Sequence, residues 1–442
     1  METDVLIIGG GATGTGLARD FALRGITALV LEKSDINAGA SGSNHGLLHS
    51  GARYVSNDRE SAAACRKEKE ILKKTASLCI DPCGGLFIAV QGDDENYTAD
   101  FPFLCAESQI NCQPVPLEQA AEMEPALTRK TIAAFRVDDA AIDPFMLSLE
   151  NMAHAETLGA RILCHTEVVG MEKNASRITR VWLKNTLTGR LFFLSPREIV
   201  NASGAWAGQV AAMAGAQVNL RYSKGTLLVT QSRITNGVVN RLRPPSDGDI
   251  LVPGGTISIL GTTATQIHDP DNIHPSVKEV DIILDQGAQM IPVLKKTRFI
   301  RAYSGVRPLV CTAAEKKDDR GLSRGFSLID HKKEHLENFT TITGGKLTTF
   351  RLMAEKTADL VCRKMGNTTP CSTAGTPLPA ANAKKWTKPG FASRRWIHKD
   401  KKDRLLCECE IISTAAVDTM IDDVNNPSAK DRGACKVTCK PG

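Results

Sequence analysis

The chain has 442 residues, 42% hydrophobic and 24% charged, enough to bury a large core in two or three domains and unlike a disordered or fibrous chain. No apolar run approaches the roughly 20 residues that span a bilayer. The 13 cysteines are odd in number and mostly scattered, which excludes a small disulfide framework and reads as reduced thiols used as core filler.

The first stretch organises the rest. Val5 to Ile8 is a continuous apolar run, the pattern of a buried parallel strand. It ends at Gly9-Gly10-Gly11-Ala12-Thr13-Gly14, and a helical pattern follows through Leu17, Ala18 and Phe21. Gly9 permits the tight turn, Gly11 lets backbone approach a pyrophosphate, and Gly14 lets the helix pack on the strand. A second strand, Thr27 to Leu31, ends at Glu32, where an acid can bond a ribose hydroxyl. Strand, glycines, helix, strand and acid in this register predict dinucleotide binding. The bland alternative is a glycine turn with no ligand. A strand starting almost at Met1 leaves no room for a signal peptide, so the expected location is cytoplasmic, free or held at a membrane surface.

A small-residue loop follows from Ser34 to Tyr54, carrying Ser41, Asn44, His45, His49, Arg53 and Tyr54. Long loops of this kind are often binding loops. Next comes a charged helix, roughly Glu60 to Leu78. From Gly84 to Asp139 the texture is short strands and acidic loops. Asp143-Pro144 supplies an N-cap and a first helical residue for a helix to Leu158. Strands are expected at Arg161–Cys164, Glu167–Met171 and Arg180–Leu183. Glu198 to Val200 reads as a strand that leaves into a glycine turn and another helix. Strand patterns dominate from Arg221 to about Asp330. Phe339 to Thr343 is one more strand, meeting Gly344-Gly345-Lys346 and a helix from Leu347 to Cys362. Between Ala381 and Arg404, nine basic residues face two acids, so this tract accounts for the net charge of +6. It reads as a solvated linker, or as a contact to a partner protein or an anionic membrane surface. It carries no motif of a nucleic-acid-binding module, and no nucleic acid is expected as a partner.

Four segments together resemble the FAD-dependent glycerol-3-phosphate dehydrogenases, in the wider group of flavoproteins built like D-amino acid oxidase. They are Gly9 to Gly14, Asn44 to Tyr54, Asn201-Ala202-Ser203-Gly204-Ala205-Trp206 and Gly344-Gly345-Lys346-Leu347-Thr348-Thr349. The similarity runs in order from Met1 to about Cys371 and is greatest to the A, or large catalytic, subunits of the anaerobic bacterial enzymes. It implies an α/β fold in which a Rossmann-like FAD-binding domain (1–83, 143–220, 331–371) is interleaved with a mostly antiparallel substrate domain (84–142, 221–330). A basic linker (372–404) and a short cysteine-bearing C-terminal tail (405–442) would follow.

The implied activity is oxidation of sn-glycerol 3-phosphate to dihydroxyacetone phosphate. Electrons would pass to a quinone through two partner subunits, one for electron transfer and one that carries iron–sulfur centres and anchors the complex to the membrane. The implied place is peripheral, on the cytoplasmic face of the inner membrane. The cofactor is FAD; whether FMN joins it is left open. Such chemistry needs a base for the hydroxyl proton, a hydride acceptor and cations for a dianionic phosphate. His49 is the candidate base, with an unperturbed pKa of about 6.5; the alternative is a histidine that only bonds flavin or backbone. Arg53 and Arg307 are the candidate anion clamps, against surface arginines in salt bridges. Tyr54, Thr262, Thr263 and Lys346 match the substrate side. Gly9, Gly11, Gly14, Glu32, Ser41, Asn44, His45, Val168, Gly204, Gly344, Gly345, Leu347 and Thr348 are expected to bind FAD. One departure is Lys224-Gly225-Thr226-Leu227-Leu228, which lacks the histidine that aerobic members carry after the matching glycine.

Four thiols, Cys407, Cys409, Cys435 and Cys439, stand in two close pairs. They suit a [2Fe–2S] cluster or a structural zinc, or remain unliganded. The spacer between the pairs is short, so the tail is expected to be a shortened version of the related one. Three rival readings remain. One is a flavin oxidase acting on a 2-hydroxy acid or amine. Another is a flavin electron-transfer subunit without its own substrate. The third, an NAD-dependent enzyme, would leave Gly204 and Gly344-Gly345 without a role.

Overall fold

The computed structural model describes residues 3–310, 325–379, 404–407 and 412–414. The chain opens with strand β1 (Val5–Ile8), helix α1 (Ala12–Leu23) and strand β2 (Ala28–Leu31), and every residue of both strands is buried. β1 lies between β2 and Glu198–Asn201, parallel to both. Arg161–Leu163 extends the sheet beyond β2, and Phe339–Gly344 extends it beyond Glu198–Asn201, again in parallel. Both faces are covered, which is why these strands read as unbroken apolar runs. On one face α1 packs with the helices Pro144–Thr157 and Phe350–Met365, joining Leu17, Phe21, Val30, Met152 and Val361 in one apolar cluster. On the other, a three-stranded antiparallel sheet (Thr166–Asn174, Arg177–Asn185, Leu191–Leu194) and the helix Ala207–Met213 cover Leu6, Leu29 and Phe339. Asp143 caps Pro144–Thr157 as its sequence implies, accepting the N–H groups of Phe145 and Met146.

A second lobe holds a nine-stranded sheet. Gly85–Val90, Cys112–Pro114 and Thr131–Val137 come from the first insertion, and the rest lie between Leu220 and Val310. Its pairings are antiparallel except that of Gly85–Val90 with Val238–Arg241. The long strand Leu220–Thr230 pairs along its whole length with Phe299–Val310. Its other edge pairs first with Thr265–Ile267 and then with Ile257–Gly261. Between those two partners lie Thr262 to Ala264, which face the cavity described below. At the seam between the lobes, Leu47–Leu48, Ala140–Ile142 and Ile80–Asp81 form a small antiparallel sheet.

The structure departs from the chain-order reading in several places. The first insertion contains the helices Glu95–Glu107 and Leu117–Met123, and the second contains Val277–Met290. The last begins at Ser276 with a capping box closed by Glu279, a Ser-x-x-Glu signature present in the sequence. Phe326–Asp330, grouped above with the second lobe, pairs antiparallel with Phe339–Gly344 at the edge of the first sheet. The short connection between them favours a neighbouring antiparallel strand. Residues 372–379, placed above in the linker, pack back on the first lobe. Leu378 is buried, and its N–H donates to the Thr75 carbonyl at 2.7 Å. The basic residues from Lys384 to Lys402, and Cys409, Cys435 and Cys439, lie outside the described residues. Of Cys407 only the backbone is described, in the short strand Leu405–Cys407. Among the described residues no helix is long and apolar enough to cross a membrane, and no cluster of metal-ligating side chains occurs.

Candidate active site

A cavity of about 620 Å3 runs between the lobes, beyond the carboxyl ends of β1 and β2. This is where open α/β sheets bind their ligands. At one end the glycine turn meets the first turn of α1. Gly9 has φ of +116°, and a Cβ there would lie 2.5 Å from the Ala202 carbonyl oxygen, so no larger residue fits. A Cβ on Gly14 would sit 1.8 Å from the Gly9 carbonyl oxygen. Gly14 therefore faces the turn and not the cavity, and its role is close helix–strand packing. Gly11 is the N-cap of α1 and supplies no capping side chain. The Ala12 N–H donates instead to Ser41 Oγ at 3.0 Å. Glu32 follows β2 and accepts the N–H groups of Gly10 at 2.8 Å and Ser34 at 2.9 Å. Each carboxylate oxygen can accept a second donor, and Glu32 lines the cavity. Val168 lines the same end, beside a bulge where register shifts between Val168 and Gly170.

The other end is cationic. Arg53, Arg307 and Lys346 line it together with His45, His49, Tyr54, Thr262 and Thr263. His49 is nearly buried. Its backbone N–H donates to Thr348 Oγ1 at 3.2 Å, and its Nε2 lies 3.4 Å from the Tyr54 hydroxyl. Thr348 is thus behind the wall, holding His49 in place, and does not line the cavity. Lys346 Nζ stands 4.5 Å over the Tyr54 ring and donates to Ser61 Oγ at 2.8 Å. Arg307 donates to Thr262 Oγ1 at 2.5 Å and to the Thr263 carbonyl at 3.1 Å. A Cβ on Gly225 would meet the Arg307 guanidinium and the Thr262 hydroxyl at 2.4 Å, so the bare backbone of Leu220–Thr230 makes room for both. Arg53 pairs with buried Asp249 at 3.0 Å, and Arg243 shares that carboxylate at 2.7 Å.

His45 is wholly enclosed. Burial first, then the charges of Arg307 and Arg53, pull its pKa down to about 3, so the ring is neutral. Its Nδ1 is buried without a hydrogen-bond partner among the described residues. A buried unpaired ring nitrogen at a cavity wall calls for a ligand donor or acceptor. Asn44 spends its amide on the Ser41 carbonyl and on the Gly46 N–H, shaping the loop. Gly204, Gly344 and Gly345 all line the cavity with positive φ, and Leu347 lines it beside them. A slot that starts at an acid after β2, passes a glycine turn and helix N-terminus, and ends at His45 and Lys346 fits FAD. Its volume lies within the usual range for ligand sites.

Sequence reading missed the acids behind this wall. Asp249 holds Arg53, Asp139 accepts the Ser50 N–H at 2.6 Å, and Glu279 accepts the Thr263 hydroxyl at 3.0 Å. It also missed Asp271, which accepts from Trp206 Nε1 at 2.6 Å at the dinucleotide end. Only Glu279 left a local signal, its capping box.

Fold and cavity together define a dinucleotide-binding flavoprotein, and the comparisons agree. A family model described as FAD dependent oxidoreductase matches residues 4–360. The chain is 43% identical over 452 aligned positions to the A subunit of the anaerobic glycerol-3-phosphate dehydrogenase of Escherichia coli K12, covering 97% of this chain and 83% of that protein. It is 37% identical to the A1 subunit of the corresponding Haloferax volcanii enzyme, covering 97% of this chain and 79% of that protein. Among solved structures, the Bacillus halodurans glycerol-3-phosphate dehydrogenase complexed with FAD superposes with a TM-score of 0.66. It is 24% identical, over 90% of this chain and 71% of that one, a likeness of fold. The chain belongs to the FAD-dependent oxidoreductase family and, within it, to the large-subunit type of the anaerobic glycerol-3-phosphate dehydrogenases.

Proposed function

We propose that this chain oxidises sn-glycerol 3-phosphate to dihydroxyacetone phosphate and passes the electrons toward a quinone through partner subunits. The observation that carries the reading is the gathering of Arg53, Arg307 and Lys346 around His49 and Tyr54 at one end of the cavity. A substrate with a dianionic phosphate needs several cations, and guanidinium groups match phosphate oxygens in pairs. The relatives are named as subunits of glycerol-3-phosphate dehydrogenases, which supports both the substrate and the existence of partners.

Bound FAD supplies the hydride acceptor. Gly9, Gly11 and the first turn of α1 would receive its pyrophosphate, and Glu32 a ribose hydroxyl. In this reading Arg307 and Arg53 grip the phosphate. Asp249, shared with Arg243, fixes Arg53 without cancelling both charges. His49 takes the hydroxyl proton, its ring steered by the Tyr54 hydroxyl and its backbone by Thr348. Lys346 places a positive charge near Tyr54, where it favours negative charge developing beside it. Thr262 orients Arg307, and neutral His45 offers a hydrogen bond without adding a charge. The tail thiols would serve an iron–sulfur cluster or stay free, and the chain would sit peripherally at the inner face of the membrane beside its partners.

The deciding experiment is an anaerobic absorbance titration of the purified, flavin-loaded chain. Glycerol 3-phosphate should bleach the flavin band, whereas lactate, 2-hydroxyglutarate and amino acids should not. His49→Ala should slow the bleaching by about 10²–10⁴-fold. Bleaching by an amino acid or a 2-hydroxy acid alone would replace this reading, and an unchanged rate in His49→Ala would move the base elsewhere.

A further inference from the structure

Behind the cavity wall one carboxylate gathers donors from several segments. Glu279, in the first turn of Val277–Met290, is buried. Its Oε1 accepts the hydroxyls of Thr226 and Thr263, each at 3.0 Å. Its Oε2 accepts Lys224 Nζ at 2.8 Å, the Ser276 hydroxyl at 2.8 Å and the Ser276 N–H at 3.0 Å. Burial opposes ionisation, yet Lys224, Ser276 and Thr226 hold the carboxyl down at about 2. Capping the helix needs only the Ser276 bonds; the others serve something else.

Two of those partners lead to the cavity. The Thr263 carbonyl and the neighbouring Thr262 hydroxyl both accept from Arg307. Lys224 Nζ also donates to the His274 carbonyl at 2.8 Å. That bond ties down residues 268–276, whose Pro270, Asp271 and Ile273 line the cavity. From this segment Asp271 reaches across to the first lobe, to Trp206 Nε1 and, at 3.3 Å, to Lys33. We propose that Glu279 is a positioning residue for both ends of the site. Through Thr263 it sets the Arg307 guanidinium, and through Lys224 it holds the segment 268–276 across the dinucleotide end. The first half rests on the glycerol 3-phosphate reading above; the second needs only a bound flavin.

Glu279→Gln keeps the shape, removes the charge and sets an amide donor against existing donors. A lost charge-assisted hydrogen bond corresponds to about a tenfold change in affinity or more. The variant should therefore need about tenfold more glycerol 3-phosphate for half-maximal bleaching and release FAD about tenfold faster on dilution, read by flavin fluorescence. Thr263→Val cuts only the arm to Arg307, so it should raise the half-bleaching concentration and leave FAD release at the wild-type rate. Wild-type FAD release in Glu279→Gln, an unmoved half-bleaching concentration in both variants, or equally fast FAD release in both would overturn the proposal. If glycerol 3-phosphate fails to bleach even the unmutated chain, the substrate reading falls by itself, and the FAD-release comparison still decides what Glu279 does.

Discussion

Asp139 reaches across the lobe boundary to the residue next to His49, and its replacement makes a quantitative test. The side chain is buried, and its carboxylate accepts the Ser50 N–H at 2.6 Å and the Asn240 side-chain amide at 3.1 Å. Asp139→Ala leaves both buried donors unpaired, at about 1–3 kcal/mol each, for a loss of about 2–6 kcal/mol. Asp139→Asn should cost only about 1–2 kcal/mol. The Asn240 Oδ1 has no hydrogen-bond partner among the described residues, so turning that amide over lets it accept from the new side chain, whose oxygen keeps Ser50. Burial pushes the Asp139 carboxyl above its ordinary range, against the opposing pull of Ser50. The folded chain therefore holds this proton more tightly than the unfolded chain. The associated stability is fully present below the unfolded value of about 3.9 and fades as pH rises through the raised folded value. An amide does not titrate, so the Asn variant should gain on the wild type across that window. Thermal unfolding of the flavin-loaded proteins at several pH values measures all of this. The bleaching rate should fall about 10²-fold in Asp139→Ala if His49 moves by about 1 Å. Equal losses for Ala and Asn, or an Asn variant that falls behind as pH rises, would refute the reasoning.

Two further tests address the frame. Gly9→Ala should purify without flavin, because its Cβ would collide with the Ala202 carbonyl oxygen in a left-handed backbone; a normal ratio of flavin to protein absorbance would contradict the placement of the pyrophosphate. Arg351 and Glu68 form a buried two-pronged ion pair at 2.7 Å on each prong, joining the helices Arg59–Thr75 and Phe350–Met365. Removing one partner, as in Arg351→Met or Glu68→Leu, should cost about 3–5 kcal/mol in unfolding experiments, and the double substitution should recover most of it. Strictly additive losses would show that the pair is not coupled.

The opening unit was legible because its constraints are local. An unbroken apolar run, glycines demanded by positive φ and close packing, and an acid at the end of β2 all fall within the first 32 residues. Asp143-Pro144 announced its helix for the same reason. The helices in the insertions were harder. Glu95–Glu107 carries Pro102 within it, and few of its side chains are buried, so its apolar stripe is weak. Arg53, Tyr54 and Lys346 could be grouped only through likeness to a known family, because distant segments meet at the cavity. Asp249, Asp139 and Glu279 illustrate the remaining limit. An acid that will be buried against an arginine or a backbone N–H looks, in sequence, like an acid on the surface. Its partner lies in another strand, and only the folded topology brings the two together.

The small sheet at the seam bears on how the enzyme opens. Leu48 runs directly into His49, and Ala140 directly follows Asp139, while Leu48 and Ala140 are paired with each other. Sliding one lobe past the other would strain this seam and drag the imidazole out of alignment. Substrate is thus better admitted through a standing portal than by a jaw-like swing, and traffic through that portal becomes the natural step at which a docked neighbour could set the pace.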